Sequence, residues 1–267
     1  QYIAGQKEPV IDMPTRFVDF MRVLVPMAGD DTTPEGEQVN IYGNHVGSWN
    51  FAATAYLNRW KVKIYYEHYF DDHSQIFSQY GRWKDGHIGL EITFPKNRFI
   101  DTFVYEGLGT KDQTGPMLYD SFWGKFEEQI SAKDNYYNHY LYQGWQHWGM
   151  GIGNPLLPGP IYNKNGQITF ISNRVLAHHI GFCGSPCQSL SYRMLLSYSR
   201  HWGTYDNPLN EIKKQFNSLF EVTYAPQQLK GWSFTVSGAM DRGSILGNNY
   251  GGMLVIRKQG IIKSGNK

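Results

Sequence analysis

Charge is scarce in this sequence. Asp, Glu, Lys and Arg supply 18% of its 267 residues, where a globular chain usually carries about a quarter. Net charge is +2, and Lys and Arg are scattered rather than clustered, so the basic stripe of a nucleic-acid binder is missing and no nucleic-acid partner is expected. Only two cysteines occur, Cys183 and Cys187, in the run C-G-S-P-C. They are too few for a disulfide framework and match no zinc spacing; they read as a turn whose thiols are bridged or free. No metal and no cofactor is expected. There is no apolar run of roughly 18 residues, which excludes a transmembrane helix, and the one helical candidate is the short Asp120–Ala132. A mean hydropathy of -0.49 would normally close the membrane question. It does not here, because barrel strands alternate apolar and polar residues and average out as hydrophilic. The chain opens at Gln1 with no initiator Met or signal-type apolar stretch, which reads as a processed or truncated product.

Aromatics are what the sequence has in excess: 16%, including 19 Tyr and 8 Trp. They are densest in Asn135–Gly166, where Tyr136, Tyr137, Tyr140, Tyr142, Trp145 and Trp148 are interleaved with His139, His147, Asn138, Gln143 and Gln146. Gly149, Gly151, Gly153, Pro155, Pro158, Gly159 and Pro160 follow and forbid a long helix or regular strand. The region 110–166 therefore reads as one long structured loop, of the kind that fills a cavity or binds a flat ligand.

A period of two over most of the remainder gives about ten strand candidates. The clearest are Asn44–Leu57, Lys61–Phe70, His87–Phe94 and the runs ending at Tyr198, Tyr224 and Met240; weaker ones are Thr15–Val25, Phe99–Gly107, Gln167–Phe182 and Asn249–Ile261. Short connections (Asn58–Trp60, Pro95–Arg98, Cys183–Gln188, Ala225–Gly231) alternate with longer ones (Pro26–Gly43, Asp71–Gly86, Thr110–Gly166, Trp202–Ile212, Arg242–Asn248). That alternation, with aromatics Trp60, Phe70, Trp202, Trp232 and Tyr250 at strand ends, is the pattern of an antiparallel transmembrane β-barrel of the outer membrane rather than of a soluble sandwich. The long loops are then extracellular and both termini periplasmic. Lys63, Glu67, Glu91, Arg193, Glu221, Asp241 and Arg257 fall on the inward parity and are expected to line the lumen and pair across it.

Three stretches carry a family resemblance: YYNHYLYQGWQHWGMGIGNPLL with the following NRVLAHHIGF, PEGEQVNIYGNHVGSWN, and the closing RGSILGNNYGGMLVIRKQGII. With these words the chain, from about Met13 to Ile262, resembles the capsule assembly Wzi family of outer-membrane proteins. The resemblance implies a barrel of roughly eighteen strands, of the even-numbered antiparallel type, whose extracellular loops occlude the lumen and help attach capsular polysaccharide to the cell surface. Fewer strands are visible here, and the tail Lys263–Lys267 lacks a terminal aromatic, so the 267 residues are expected to form the C-terminal portion of a larger barrel, as a single domain.

The expected function is thus non-enzymatic, with surface polysaccharide, outer-membrane lipid or lipopolysaccharide, and an envelope protein complex as partners. Tyr136, Tyr137, Tyr140, Tyr142, Trp145, His147 and Trp148 are the candidate sugar-stacking residues, since pyranose C–H faces pack on aromatic planes; the bland alternative is a plug that packs on itself. Rival readings are a porin narrowed by the long loop and a structural subunit of an envelope complex. An enzyme ranks last. His178 and His179, near Ser172, Asn173 and Arg174, point to opposite faces of a strand and lack a G-x-S-x-G elbow. Asp71, Asp72 and His73, like Asp30, Asp31, Glu35 and Glu37, match no cation loop and read as solvated tips.

Overall fold

Alternating side chains become a nine-stranded antiparallel meander. The computed structural model describes residues 14–25, 27–33, 38, 42–71, 84–97, 99–113, 134–139 and 144–260. A helix α1 (Phe17–Leu24) precedes β1 (Gly47–Leu57), β2 (Trp60–Phe70), β3 (Gly86–Thr93) and β4 (Thr102–Gly109). The long loop contributes a two-residue pair, β5 (Gln146–His147) and β6 (Met150–Gly151), and a 3-10 turn, Pro160–Tyr162. Then come β7 (Val175–Cys187), β8 (Leu190–Gly203), β9 (Pro208–Tyr224), β10 (Trp232–Gly243) and β11 (Asn249–Lys258). Sheet order is β1-β2-β3-β4-β7-β8-β9-β10-β11, each strand beside its neighbour in sequence. β1 and β11 are the two edges, and among the described residues nothing pairs with either outer side. The fold is all-β.

Directly opposed residues project to the same side of a sheet, so the register assigns the faces. The row Ala55–Val62–Ile92–Phe103–Phe182–Met194–Phe220–Gly238–Gly252 crosses all nine strands without a polar side chain. This apolar face is exposed: Ile64, Val236 and Leu254 keep 54%, 61% and 64% of their surface. Its strand ends carry Trp60 and Trp232 on one side and Phe70 and Tyr250 on the other. The opposite face is polar, and Lys63, Glu67, Glu91, Arg193, Glu221, Asp241 and Arg257 all lie on it.

Among the described residues, the ion pairs these charges make join neighbouring strands. Arg193 meets Glu221, its register partner, at 3.4 Å, and Glu91 takes Lys61 of the adjacent strand at 3.4 Å. Lys63 lies 5.2 Å from the Tyr65 ring centroid. Neighbours on one face stand about 5 Å apart, well within reach of these side chains.

Three other expectations change. Thr15–Val25 is not a strand: Arg16, Asp19 and Arg22 recur every third residue, so a helix puts them on one side, where Asp19 is buried between both arginines. Trp202–Ile212 is not a long loop, because the β8–β9 ladder continues to Gly203 opposite Pro208 and leaves only residues 204–207 as the turn. The expected strand Gln167–Phe182 is shifted to Val175–Cys187, so the connection Cys183–Gln188 shrinks to residues 188–189. Cys183 and Cys187, which the sequence leaves bridged or free, are unbridged. The expected helix Asp120–Ala132, the tail Lys263–Lys267, and Tyr140, Tyr142, Gln143, Glu35, Glu37, Asp72 and His73 lie outside the described residues.

Candidate functional site

The long loop folds back on the polar face at the end where β4 stops and β7 starts. Its core is Tyr137, Leu157 and Phe170 from the loop, packed on Leu108, Val175 and Ala177 of the sheet. These three sheet residues have the polar face's parity but are apolar, which is what lets the loop settle there. Burying each large side chain contributes about 1.5–3 kcal/mol.

Polar pins hold the same loop. The buried Asp85 carboxylate accepts the Asp112 N–H at 2.8 Å, the Gln113 N–H at 2.6 Å and the Tyr136 hydroxyl at 2.9 Å. It therefore ties the chain just before residue 114 to the chain just after residue 133. Burial pushes the Asp85 carboxyl above its usual range and, aided by Asp85, pushes the Tyr136 phenol well up. Asn173 is fully buried; its amide donates to the Tyr136 carbonyl at 2.8 Å, and its own carbonyl accepts Thr110 Oγ1 at 2.6 Å. Asn138 exchanges two 2.8 Å bonds with the Phe170 backbone, copying a strand pair with a side chain.

This arrangement divides the expected stacking residues. Tyr136 and Tyr137 are 3% and 6% exposed, so neither offers a face to a sugar. Tyr137 is instead stacked on Trp145 with centroids 5.5 Å apart and set edge-on to Phe170 at 5.1 Å. The indole N–H of Trp145 donates to Asn44 at 3.2 Å. His147 and Trp148 are exposed, Trp148 to 84%, at the tip of the β5–β6 hairpin. The turn there is Trp148-Gly149, with φ of 53° and 80°. Positive φ at both positions is the type I′ requirement, usually met by Asn-Gly; Trp in that place is strained. Gly149 O accepts the Ile161 N–H at 2.8 Å, which sets the tip beside the exposed Ile161 and Tyr162.

Between loop and polar face lies a cavity of about 850 Å³, floored by Glu67, His87, Glu106 and His179 and walled by Tyr137 and Trp145. His87 stands 3.9 Å from Glu67 and 3.5 Å from Glu106. Tyr65 donates to Glu106 across Gly89, where a Cβ would lie 2.0 Å from the Tyr65 ring. His179 bonds Ser197 at 2.7 Å, while His178, on the apolar face, bonds the Tyr105 hydroxyl at 2.8 Å. Ser172 sits instead by His201, at 3.5 Å. Asp30, expected as a solvated tip, is tied to Arg16 and Arg22, each at 2.8 Å.

Asp85 and Thr110 escaped the sequence reading, and Asn173 entered it only as a neighbour of His178 and His179. Each is a lone polar residue in a loop or strand end, and the only local signal is Asp85 beside Gly86. Set beside models of protein families, curated proteins and solved structures, the chain matches none of them.

Proposed function

We propose that the sheet is part of the wall of a bacterial outer-membrane barrel, and that the loop 110–174 closes the barrel interior at the extracellular end and holds surface polysaccharide. The observation that carries this reading is the apolar face, which crosses nine strands, is largely exposed and is free of Asp and Glu. A face of that extent is far larger than a water-exposed patch on a monomer, and strands of 8 to 17 residues suit the span of a hydrocarbon core. The unpaired edges β1 and β11 call for further strands that complete the ring.

Polysaccharide attachment is supported by the resemblance to capsule assembly proteins and by the exposed Trp148, Ile161 and Tyr162, a platform suited to sugar C–H faces. The tight packing of Tyr137, Leu157 and Phe170 favours a closed interior over an open pore. Replacing Trp148 by Asn in capsulated cells tests the attachment: capsule should be shed while folded protein stays in the membrane. Capsule retention at the unaltered level would overturn it. Single-channel recording of the purified protein should be silent.

A further inference from the structure

Charge is absent from the apolar face over most of its area, and where it returns it is all of one sign. At the end facing the long loops, Arg200 on β8 and Lys214 on β9 are direct register partners, and Arg242 on β10, opposite Phe216, sits diagonally from Lys214. The Lys111 ammonium and the Arg200 guanidinium both approach the Trp202 ring, at 5.1 and 5.4 Å from its centroid. Lys214 and Arg242 are exposed, and Arg200 is half-buried.

Like charges directly opposed on neighbouring strands destabilise a sheet. Among the described residues no carboxylate lies in salt-bridge range of Arg200, Lys214 or Arg242. Asp241 projects to the other face, where Asn217 donates to it at 2.6 Å. Three strands thus bring three unneutralised cations together at an apolar boundary. An anionic ligand would offset them. Guanidinium groups suit phosphate because they bond it bidentately. Below the cations, Tyr198, Leu196 and Phe216 offer an apolar surface for acyl chains.

We infer that Arg200, Lys214 and Arg242, with Lys111 at their margin, bind the phosphate groups of a phosphorylated glycolipid whose acyl chains lie on the apolar face. This rests on the membrane reading above, and it commits to the lipid rather than to free phosphate.

The test uses the full chain folded in detergent micelles, with lipid binding read by native mass spectrometry and by the midpoint of thermal unfolding. Diphosphorylated lipid A should bind at least tenfold more tightly than its dephosphorylated form, a difference of about 1.4 kcal/mol. The triple variant Arg200→Gln, Lys214→Gln, Arg242→Gln should lose that preference, and Lys258→Gln, at the far end of the same face, should keep it. Equal binding of the two lipids, or a triple variant that retains the preference, overturns the inference. Competition by millimolar inorganic phosphate down to the dephosphorylated level would assign the patch to free phosphate and overturn the lipid. If the triple variant does not fold, salt decides on the unaltered protein: rising salt should weaken the phosphorylated lipid alone, and equal weakening of both overturns the proposal. A protein that stays dispersed without detergent and ignores vesicles would remove the membrane reading itself.

Discussion

The Asp85 carboxylate and the Tyr136 hydroxyl, 2.9 Å apart and both buried, join the β2–β3 connection to the long loop. Two backbone amides, those of Asp112 and Gln113, complete the carboxylate's shell. A chain of more than sixty residues between β4 and β7 is thereby closed on itself at its base.

Removing that acceptor leaves two buried donors unanswered, each costing about 1–3 kcal/mol, and the part-buried Asp112 amide, which costs less. Asp85→Ala should therefore loosen the loop by roughly 3–5 kcal/mol while the sheet persists. Tyr136→Phe should cost only about 1–2 kcal/mol, because the two amides still serve the carboxylate. Amide exchange at residues 134–139 and 170–175, compared with β8 and β9, measures both. Equal loss in the strands would mean that Asp85 supports the whole fold rather than the loop.

Acid should act on the same region through His139. Burial and the nearby His45 lower its pKa from 6.5 to about 4, so the folded loop binds fewer protons than the unfolded one between those values. Its contribution to stability is complete above pH 6.5 and is lost as pH falls toward about 4. Asp85 works with the opposite sign: its raised pKa makes the folded state take up a proton more readily. Exchange protection at residues 134–139, corrected for intrinsic rates, should thus fall across this window, and His139→Asn should remove the fall. A variant with an undiminished fall would place the acid sensitivity elsewhere.

Gly89 is the clearest single-atom test on the polar face. A methyl there would stand 2.0 Å from the Tyr65 ring, displacing it from Glu106. Gly89→Ala should cost about 1–3 kcal/mol, the usual range for overpacking, and Gly89→Ala with Tyr65→Ala should recover much of it. Absence of recovery in thermal unfolding would show that the clash is not with Tyr65.

The strained hairpin tip gives a prediction of opposite sign. Asn tolerates positive φ that costs other residues roughly 1–2 kcal/mol, so Trp148→Asn should leave the β5–β6 turn as stable or more stable. Exchange at Ile152, whose N–H is bonded to the Trp145 carbonyl, reports that turn directly. Faster exchange there would mean that the indole is structural.

Much of the sheet was legible because strand periodicity is local: nine of the ten candidate strands exist, although β7 starts eight residues after the expected Gln167 and β9 starts inside the expected loop Trp202–Ile212. Thr15–Val25 failed because two apolar residues separate each charge, a spacing that fits a helix better than a strand. Trp202–Ile212 failed because Gly203, Asn207 and Pro208 look like loop residues, yet Pro208 opens β9, where a strand tolerates proline. Within the long loop no period exists to say which aromatic turns inward. Tyr136 and Tyr137 are buried and Trp148 is exposed because of Asp85, Phe170 and a left-handed turn, all partners or geometries that only the folded chain provides.

The central claim, that one face of the sheet meets lipid, is tested most directly on β10. With Cys183 and Cys187 replaced by Ser, single cysteines placed in turn along Trp232–Arg242 take a spin label in protein reconstituted into vesicles. Collision rates with oxygen, which concentrates in lipid, and with a water-soluble nickel chelate should then alternate with a period of two. Labels at Phe234, Val236 and Met240 are expected to favour oxygen, and those at Ser233 and Thr235 the chelate. A label at Val236 as open to the chelate as one at Thr235, or no alternation at all, would contradict the membrane wall.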